Sequence, residues 1–409
     1  MKILLLTQWF EPEFTLKGLL LAEELHKLGH QVEVLTGFPN YPGGKVYEGY
    51  KIKPFKKEMI NNISVIRCAL YPSHDNSALK RILNFASFAF SAAFWGILLC
   101  RRPDVIYAYH PPITIGIPAI LLSWFKRAPF ILDIQDFWPD TLKSTGMVSD
   151  PRILKCVDIC CKVTYRLASH IVVLSDGFKQ LLISRGVSPE KISVIYNWAD
   201  ERYIKPLPYD KVLAESLGFT DKFNIVFAGN FGKAQNLFCV LETAKLLKSQ
   251  YPSIRFVMVG TGVDEAELKK YATDNNLANV VFLPRRPINE IQAILSIADI
   301  LLLHLKDDPL FEITVPSKTQ ANLCVGRPIL AVCRGDACRL IENANAGMSC
   351  EPGKPAVMAQ KIIQFYQMLP EERERLGNNG SRFYMEKLSL SQGILNTQFL
   401  LKKIVTRKA

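Results

Sequence analysis

The sequence predicts an α/β fold made of two doubly wound domains in series. Short apolar runs alternate with helix-periodic segments along the whole chain, which is typical of parallel strands joined by crossover helices. A Pro-rich stretch at 205–209 (KPLPY) interrupts this alternation near the middle of the chain, and the alternation then starts again. With 409 residues, the chain is long enough to form two domains with separate cores.

The predicted elements give the domain boundaries. Strands are predicted over 2–7, 31–36, 105–109, 130–134, 170–175, 192–196, 223–228, 255–259, 280–283, 300–304 and 328–332. Helices are predicted over 15–28, 234–249, 265–275, 289–297, 318–324 and 389–407. We expect an N-terminal Rossmann-like domain over 1–200, a second over 201–385, and a C-terminal helix over 386–409 that packs back on the first domain; 205–209 is expected to be the linker. Ligands of such sheets bind at the carboxyl ends of strands, so we expect the site in a cleft between the domains.

The charge balance favours an acidic partner. The chain has 50 Lys and Arg against 38 Asp and Glu, which gives a net charge of +12. No nucleic-acid-binding motif is present, so we do not expect nucleic acid as the partner. The ten cysteines form neither a zinc pattern nor a disulfide framework, and reduced thiols in a cytoplasmic protein are expected. No hydrolase motif occurs.

One apolar segment, 82–100, requires a separate explanation. Its length approaches the roughly 20 residues that a membrane-spanning helix needs. Its polar residues, and the strand that follows it, favour a helix that is buried or lies at a membrane interface, and a membrane span is the alternative. Basic pairs flank the segment on both sides: Lys80, Arg81, Arg101 and Arg102.

The segment 312–318 (EITVPSK) predicts an anion site. It follows an apolar strand and begins a helix, whose first-turn N–H groups are unpaired within the helix and lie at the positive end of its dipole. Ser317 is expected to cap this helix after Pro316, and Lys318 adds a full positive charge. Glu312 can accept hydrogen bonds from sugar hydroxyls. An ordinary helix start with a surface lysine is the alternative interpretation.

A glycine-containing loop, 227–233 (FAGNFGK), opens the second half. Its glycines allow the backbone to approach a ligand closely, and its lysine can meet a diphosphate. A second glycine turn, which begins at Gly260, follows the next strand. Neither loop matches a P-loop or a dinucleotide-binding motif, and a plain tight turn is the alternative for both. The candidates in the first loop are Gly229, Asn230, Gly232 and Lys233.

Loops of the first half also carry candidate side chains. Asp136 lies just past a predicted strand, where a carboxylate is well placed for the cleft, and a helix cap is its alternative role. Asp133 is expected within that strand. After the first strand, Glu13 can meet an acceptor hydroxyl and Gly18 can approach a phosphate. His110 ends another strand and can line the cleft.

These segments together resemble the GT-B glycosyltransferases of family four over the whole chain. The loop 229–233, the turn 260–262, the segment 312–318 and the sequence 326–328 (GRP) match the donor half of that family in order and spacing. The segments 29–43 and 133–140 resemble the branch that adds N-acetyl-L-fucosamine or related amino sugars during O-antigen and capsule assembly.

The resemblance implies transfer of a sugar from a UDP-sugar with retention of configuration, and with neither a catalytic metal nor another cofactor. Lys233 and Lys318 would neutralise the leaving diphosphate, an electrostatic effect that supplies most of the catalysis. Asp136 takes the position of the essential acidic residue. Arg285 and Arg286 lie where the family binds the nucleotide base. The predicted donor-binding residues are Gly18, Gly229, Asn230, Gly232, Gly260, Arg285, Arg286, Glu312, Pro316 and Ser317, and the predicted acceptor-binding residues are Glu13 and His110.

The chain departs from the family pattern in two places. Ala321 stands where many members have a second glutamate, which implies a different contact with the donor ribose. In the first loop, Leu16 and Lys17 precede the single Gly18, whereas the family usually has a pair of glycines there. The diphosphate contact expected from this loop is therefore open to question.

The implied acceptor is a polyprenyl-diphosphate-linked saccharide at the inner membrane. We therefore expect a cytoplasmic protein that is peripherally associated with that membrane. The helix at 82–100, its basic flanks and the basic stretch 51–57 would rest on anionic lipid, and each surface cation would contribute about 1 kcal/mol. Two alternatives are a UDP-sugar epimerase of the same fold and a non-catalytic sugar-nucleotide-binding subunit, the latter in line with Ala321.

Overall fold

The computed structural model describes residues 1–13, 15–73, 78–144, 148 and 150–407. The chain folds as two compact units: Met1–Tyr196 together with Gly393–Ala409 form the first, and Asn197–Gln392 form the second. Each unit is built on a largely or wholly parallel sheet whose strands alternate with helices. The predicted fold class, α/β with two Rossmann-like sheets and a long C-terminal helix, is confirmed.

The first unit is built on a sheet that has eight strands among the described residues. They are β1 (Lys2–Thr7), β2 (Gln31–Gly37), β3 (Phe55–Ile60), β4 (Ile63–Cys68), β5 (Val105–His110), β6 (Phe130–Ile134), β7 (His170–Val173) and β8 (Ile192–Val194). Their order is β3-β4-β2-β1-β5-β6-β7-β8, and β3 runs antiparallel to β4. The helices of this unit are α1 (Leu19–Lys27), α2 (Ala78–Leu99), α3 (Gly116–Lys126), α4 (Asp140–Ser144), α5 (Pro151–Leu167) and α6 (Asp176–Ser184).

The strand order positions the candidate loops of this unit. Strand β1 pairs with β2 on one side and with β5 on the other, so that Leu5 lies opposite both Val34 and Tyr107. The connections leave the sheet in opposite directions from this point, which is where doubly wound sheets bind ligands. Strands β5 and β6 are buried along their whole length, as expected for parallel strands covered on both faces. The loops after β1, β5 and β6 therefore meet at one edge of the sheet.

The second unit has a parallel sheet with six strands in its described part. They are β9 (Phe223–Asn230), β10 (Ile254–Thr261), β11 (Val280–Leu283), β12 (Ile300–His304), β13 (Ile329–Val332) and β14 (Gly347–Cys350), in the order β11-β10-β9-β12-β13-β14. The helices are α7 (Lys211–Ser216), α8 (Leu237–Leu247), α9 (Glu265–Asp274), α10 (Ile288–Ser296), α11 (Pro309–Glu312), α12 (Ser317–Val325), α13 (Asp336–Asn343), α14 (Pro355–Gln367) and α15 (Pro370–Phe383). Its switch point lies between β9 and β12.

Several predicted boundaries differ from the structure. The hairpin β3–β4 and strand β14 are not predicted by the sequence. Helix α1 begins at Leu19 and not at residue 15, because the N–H of Gly18 closes a turn on the carbonyl of Thr15 (3.2 Å). The stretch 205–209 is not an interdomain linker: it belongs to the second unit, where Nε2 of Gln292 donates to the carbonyl of Lys205 (2.6 Å).

The last helix, α16 (Leu390–Thr406), belongs to the first unit from Gly393 onward. Within that unit, Nε2 of Gln398 lies 2.9 Å from Nε2 of His30, near the start of β2. The predicted domain boundaries, at 200 and 386, fall a few residues from those of the compact units. The cysteines are free thiols, and those of α5 at Cys156 and Cys160 are exposed whereas the others are buried.

Candidate active site

The second unit contains a buried lysine ammonium that has no partner among the described residues. Nζ of Lys318 is buried, and no hydrogen bond or ion pair reaches it from the described residues. It lies 4.4 Å from the ring centre of Phe227, on the adjacent strand β9, so a cation–π contact compensates part of the lost hydration. Burial lowers the pKa of Lys318 from its usual 10.5 to about 8. An anion bound at this ammonium would supply the missing charge.

Lys318 lies in the first turn of α12, and this turn has no side-chain cap. The helix begins at Ser317, so Ser317 is not the N-cap that the sequence predicts; that position belongs to Pro316, whose side chain cannot accept a hydrogen bond. Ser317 is exposed. The N–H of Thr319 donates to the carbonyl of Pro316 (2.9 Å), whereas the N–H groups of Ser317 and Lys318 have no capping oxygen among the described residues. Together with the ammonium of Lys318 they form a site with positive potential.

The glycine loops lie close beside this ammonium. A β-carbon on Gly229 would lie 3.1 Å from Nζ of Lys318, so the absence of a side chain at Gly229 leaves room for the lysine. Gly260 pairs with Gly229 in the β9–β10 register, and a β-carbon on Gly260 would lie 1.9 Å from the Gly229 carbonyl oxygen. Gly260 is thus required by backbone packing. The contact with the donor that is predicted for Gly260 stays a prediction.

The second candidate lysine has a different environment. Nζ of Lys233 forms an ion pair with Asp264 at 2.9 Å, and the side chain of Lys233 is 77% exposed. The hydrogen bond that Lys233 donates to Asp264 raises the pKa of Lys233. Asn230 is the exposed last residue of β9. A β-carbon on Gly232 would lie 2.7 Å from Nδ2 of Asn230, so the glycine leaves room for this amide. Lys233 is consequently charged at neutral pH, exposed and paired, whereas the ammonium of Lys318 is buried.

The remaining donor candidates follow β11 and β12. Glu312 is the last residue of α11; its carboxylate has no hydrogen bond or ion pair to a described residue and is available to hydroxyl groups. Its carbonyl oxygen would lie 1.8 Å from a β-carbon on Gly335, which has φ of 77°. Arg285 is exposed, and Arg286 pairs with Glu290 in the first turn of α10 (3.3 Å). The predicted base contacts of the two arginines stay predictions.

In the first unit, a buried ion pair joins the loop after β1 to strand β6. Nζ of Lys17 lies 2.7 Å from Oδ2 of Asp133, and both side chains are fully buried. Tyr107 donates its hydroxyl to the same oxygen (2.5 Å), and Gln135 donates to the other (2.5 Å). Asp133 lies within β6, as the sequence predicts. The ion pair fixes the backbone at Lys17, directly before Gly18. The family usually has a pair of glycines in this loop.

Asp136 lies beyond this network, in the loop after β6. It is partly exposed, and no described side chain donates to its carboxylate. Desolvation raises the pKa of Asp136 from its usual 3.8 to about 6. The neighbouring backbone forms a turn in which the N–H of Trp138 donates to the Asp136 carbonyl (3.2 Å). The alternative role as a helix cap is not observed, because α4 begins only at Asp140.

The two predicted acceptor residues are both buried. Glu13 is not available to an acceptor, because its carboxylate accepts backbone N–H groups from Phe10 (3.2 Å), Asn40 (2.6 Å) and Tyr41 (2.6 Å). This corrects the prediction: Glu13 holds the loop after β2. His110 has no exposed surface, neither ring nitrogen has a partner among the described residues, and burial lowers its pKa to about 3. The neutral His110 ring packs edge-on against Trp138 (5.7 Å).

The sequence did not identify some residues that shape these sites. Asp264, the partner of Lys233, lies in no recognised motif, and Phe227, the partner of Lys318, lies in the segment 227–233 without a predicted role. The Lys17–Asp133 pair does have a signal, because a carboxylate inside an apolar strand requires a buried cation or donor nearby. Across the part of the chain that the structure describes, no three His, Cys, Asp or Glu side chains are grouped to hold a metal ion.

Comparison with known proteins agrees with this architecture. Residues 19–198 match the model of the glycosyl transferase 4-like domain, and residues 210–383 match that of the glycosyl transferases group 1. WcaI of Escherichia coli strain K12, named as a glycosyl transferase of colanic acid biosynthesis, is 30% identical over 337 residues, which are 80% of this chain and 82% of WcaI. WbjE of Pseudomonas aeruginosa, named as a glycosyltransferase, is 26% identical over 308 residues, covering 74% and 76% of the two chains.

A solved structure extends the likeness to the fold. HepE of Anabaena in complex with UDP superposes with a TM-score of 0.73 at 17% sequence identity, over 98% of this chain and 100% of HepE. Its complex with UDP-glucose gives a TM-score of 0.72 at 18% identity and the same coverage. Two family models match the chain, the fold is shared, and the identity to WcaI extends over four fifths of both chains. This chain is therefore a glycosyltransferase of the GT-B fold and belongs to family GT4.

Proposed function

We propose that the protein transfers a sugar from a UDP-sugar to a polyprenyl-diphosphate-linked saccharide during assembly of a surface polysaccharide such as an O-antigen or capsule. The proposed donor sugar is an amino-deoxy sugar such as N-acetyl-L-fucosamine, in line with the segments 29–43 and 133–140. The naming of WcaI for colanic acid biosynthesis supports the polysaccharide class. The UDP and UDP-glucose complexes of HepE support a UDP-sugar donor.

The observation that carries this proposal is the buried, unpartnered ammonium of Lys318. A buried cation without a counter-ion is unfavourable, and a diphosphate oxyanion would remove that penalty. The uncapped N-terminus of α12 favours the same charge. A neutral sugar would leave the ammonium uncompensated, so the site favours the nucleotide diphosphate of an activated donor.

In the proposed reaction, the bond between the anomeric carbon and the diphosphate oxygen breaks, and its electron pair leaves with UDP. Lys318 and Lys233 stabilise the charge on the leaving diphosphate. The acceptor hydroxyl forms the new bond on the face from which UDP departs, so configuration is retained, and its proton passes to a leaving phosphate oxygen. With a pKa of about 6, Asp136 is ionised at neutral pH and can stabilise positive charge on the sugar ring.

The test is a reaction of the purified chain with UDP-N-acetyl-L-fucosamine, UDP-N-acetylglucosamine or UDP-glucose and a lipid-linked acceptor, followed by mass spectrometry and by NMR of the new linkage. We expect the acceptor to gain one sugar with retained configuration and equimolar release of UDP, unchanged by EDTA. An isomerised UDP-sugar without an acceptor would indicate an epimerase, and binding without turnover would indicate a non-catalytic subunit. Inversion, or transfer from a GDP-sugar alone, would refute the mechanism.

A further inference from the structure

Helix α2 exposes one apolar face while another face forms part of the core. Phe88, Ala89 and Ala92 are buried. Phe90, Phe94 and Leu98 recur every four residues, as one face of a helix requires, and are 66%, 58% and 61% exposed. Among the described residues, α2 is the helix with the length and composition to cross a membrane, and 33% of its apolar window is buried.

The end of α3 continues this exposed surface. Nζ of Lys126 donates to the carbonyls of Ile97 (2.6 Å) and Cys100 (2.8 Å), so the last turn of α3 is fixed beside the last turn of α2. Two large side chains of that turn, Trp124 and Phe125, are exposed. The apolar face of α2 and the end of α3 are therefore neighbours on the first unit.

Edge strand β3 adds a third element on the same side. Phe55 lies 4.6 Å from the ring centre of Trp95 on α2, which holds β3 against that helix. Phe55 and Met59 are exposed, and four residues along a strand place them on one face. We call the exposed faces of α2, the end of α3 and β3 the apolar platform. It is a contiguous apolar surface, whereas the apolar side chains on the surface of a soluble protein are normally scattered singly.

The charge around the apolar platform is predominantly positive. The segments 51–60, 78–102 and 116–127, which form or border it, contain ten Lys and Arg and one acidic residue, Glu58, which pairs with Lys56 and Arg67. A second carboxylate, Glu33 of β2, accepts the backbone N–H of Arg101. Arg101 and Arg102, directly after α2, are exposed. A second copy of this chain would bring the same positive charge against it, which opposes self-association. An anionic lipid surface complements both the apolar side chains and the cations.

The buried contacts of α2 decide against a membrane span. Asn84 is buried, where its carbonyl oxygen accepts from Gln8 (2.7 Å) and its amide donates to Asn40 (3.2 Å) and to the carbonyl of Tyr71 (2.7 Å). Moving α2 into a bilayer would break these bonds and expose the core of the first unit. The helix can contact lipid only with its outward face.

We propose that the apolar platform docks on an anionic lipid bilayer, with α2 lying in the plane of the interface. This docking goes beyond the proposed transfer reaction and requires no substrate. It would hold the first unit at the surface where lipid-linked acceptors reside. Each cation near an anionic surface contributes about fivefold to binding, from roughly 1 kcal/mol per charge, and each inserted aromatic side chain adds a comparable factor.

The experiment is flotation of the full-length chain with vesicles of phosphatidylcholine alone or with 30% phosphatidylglycerol, at low and high salt. We expect binding to the anionic vesicles, partial release by high salt, and at least tenfold weaker binding to the neutral ones. The variant Arg101→Gln/Arg102→Gln should bind about 30-fold more weakly, and Phe90→Ser/Phe94→Ser at least tenfold more weakly. Phe399→Ser, on the exposed face of α16, is the matched control and should bind like the unaltered chain.

Thermal melts and UDP binding of each variant establish that it is folded, and keep a failure of docking distinct from a failure of the proposed reaction. Equal binding of the unaltered chain to neutral vesicles, or no vesicle binding at all, would overturn the proposal. So would a dimer that the Phe90→Ser/Phe94→Ser variant dissociates without any effect on vesicles. Resistance to carbonate extraction would show that α2 spans the bilayer.

Discussion

Replacing Lys318 by Met should stabilise the protein while it destroys nucleotide binding. The pKa of Lys318 is lowered from 10.5 to about 8 by burial. A shift of this size corresponds to roughly 3 kcal/mol of unfolding free energy that the charged lysine removes from the ligand-free protein at pH 7. Met has a similar length and no charge, so the Lys318→Met variant should recover up to that amount. Its affinity for UDP should fall by about 100-fold, because a buried charge pair is lost.

The pH dependence of the unfolding free energy tests the sign of this stability change independently. The folded pKa of Lys318 lies below the unfolded one, so the penalty is fully present below pH 8 and disappears as the pH rises towards 10.5. The stability difference between the variant and the unaltered protein should therefore narrow across this window. Urea unfolding at pH 7, 9 and 10.5 measures it, with Lys211→Met, at an exposed lysine, as the control.

Calorimetry tests the same lysine from the ligand side. At pH 8 Lys318 is about half protonated, so UDP binding should take up about half a proton. This uptake appears as a dependence of the binding enthalpy on the ionisation enthalpy of the buffer, and it should vanish in Lys318→Met. If Lys318→Met is less stable than the unaltered protein and still binds UDP with the same affinity, the ammonium is not an anion site.

Further predictions concern four other positions. Asp136→Asn should lower kcat about 100-fold or more with unchanged UDP affinity. In the unaltered protein, kcat should rise with pH around a midpoint of about 6 as the carboxylate ionises. An unchanged kcat in the variant would show that Asp136 does not act in catalysis. Glu13→Ala should cost about 1–3 kcal/mol in urea unfolding because buried N–H groups lose their acceptor, whereas Glu48→Ala, at an exposed position, should not. Equal stability of the two variants would contradict the structural role of Glu13. Gly260→Ala should prevent folding or strongly lower the melting temperature, because the added β-carbon would lie 1.9 Å from the Gly229 carbonyl oxygen. The control Gly43→Ala should leave the melting temperature unchanged, because no atom lies within 4 Å of its added β-carbon. Ala321→Glu should raise the ratio of the affinities for UDP and 2′-deoxy-UDP about tenfold, because it adds a charged acceptor for the ribose hydroxyl. Calorimetry measures both affinities. No change in their ratio would mean that position 321 does not face the ribose.

Local patterns were sufficient for most of the fold. The buried strands β1, β6 and β12 begin and end where the apolar runs do, because a parallel strand covered on both faces is largely apolar. The half-buried edge strand β11 also begins and ends with its apolar run. The hairpin β3–β4 escaped prediction because its first strand, FKKEMI, is a half-exposed edge with mostly polar alternation. Composition alone predicts a linker at the Pro-rich stretch 205–209, whereas these residues lie within the second unit.

The sequence by itself determined the two parallel sheets, the glycine loops at their carboxyl ends and the placement of Lys318 at a helix start. These depend on residue type and spacing over short ranges. Only the tertiary structure decided how each charge is used. It buried the ammonium of Lys318 without a partner among the described residues, paired Lys233 with Asp264 and Lys17 with Asp133, and used the carboxylate of Glu13 to support a loop. The physical reason is that burial and hydrogen-bond partners are set by residues distant in the chain, and these set the pKa and the availability of a charged group.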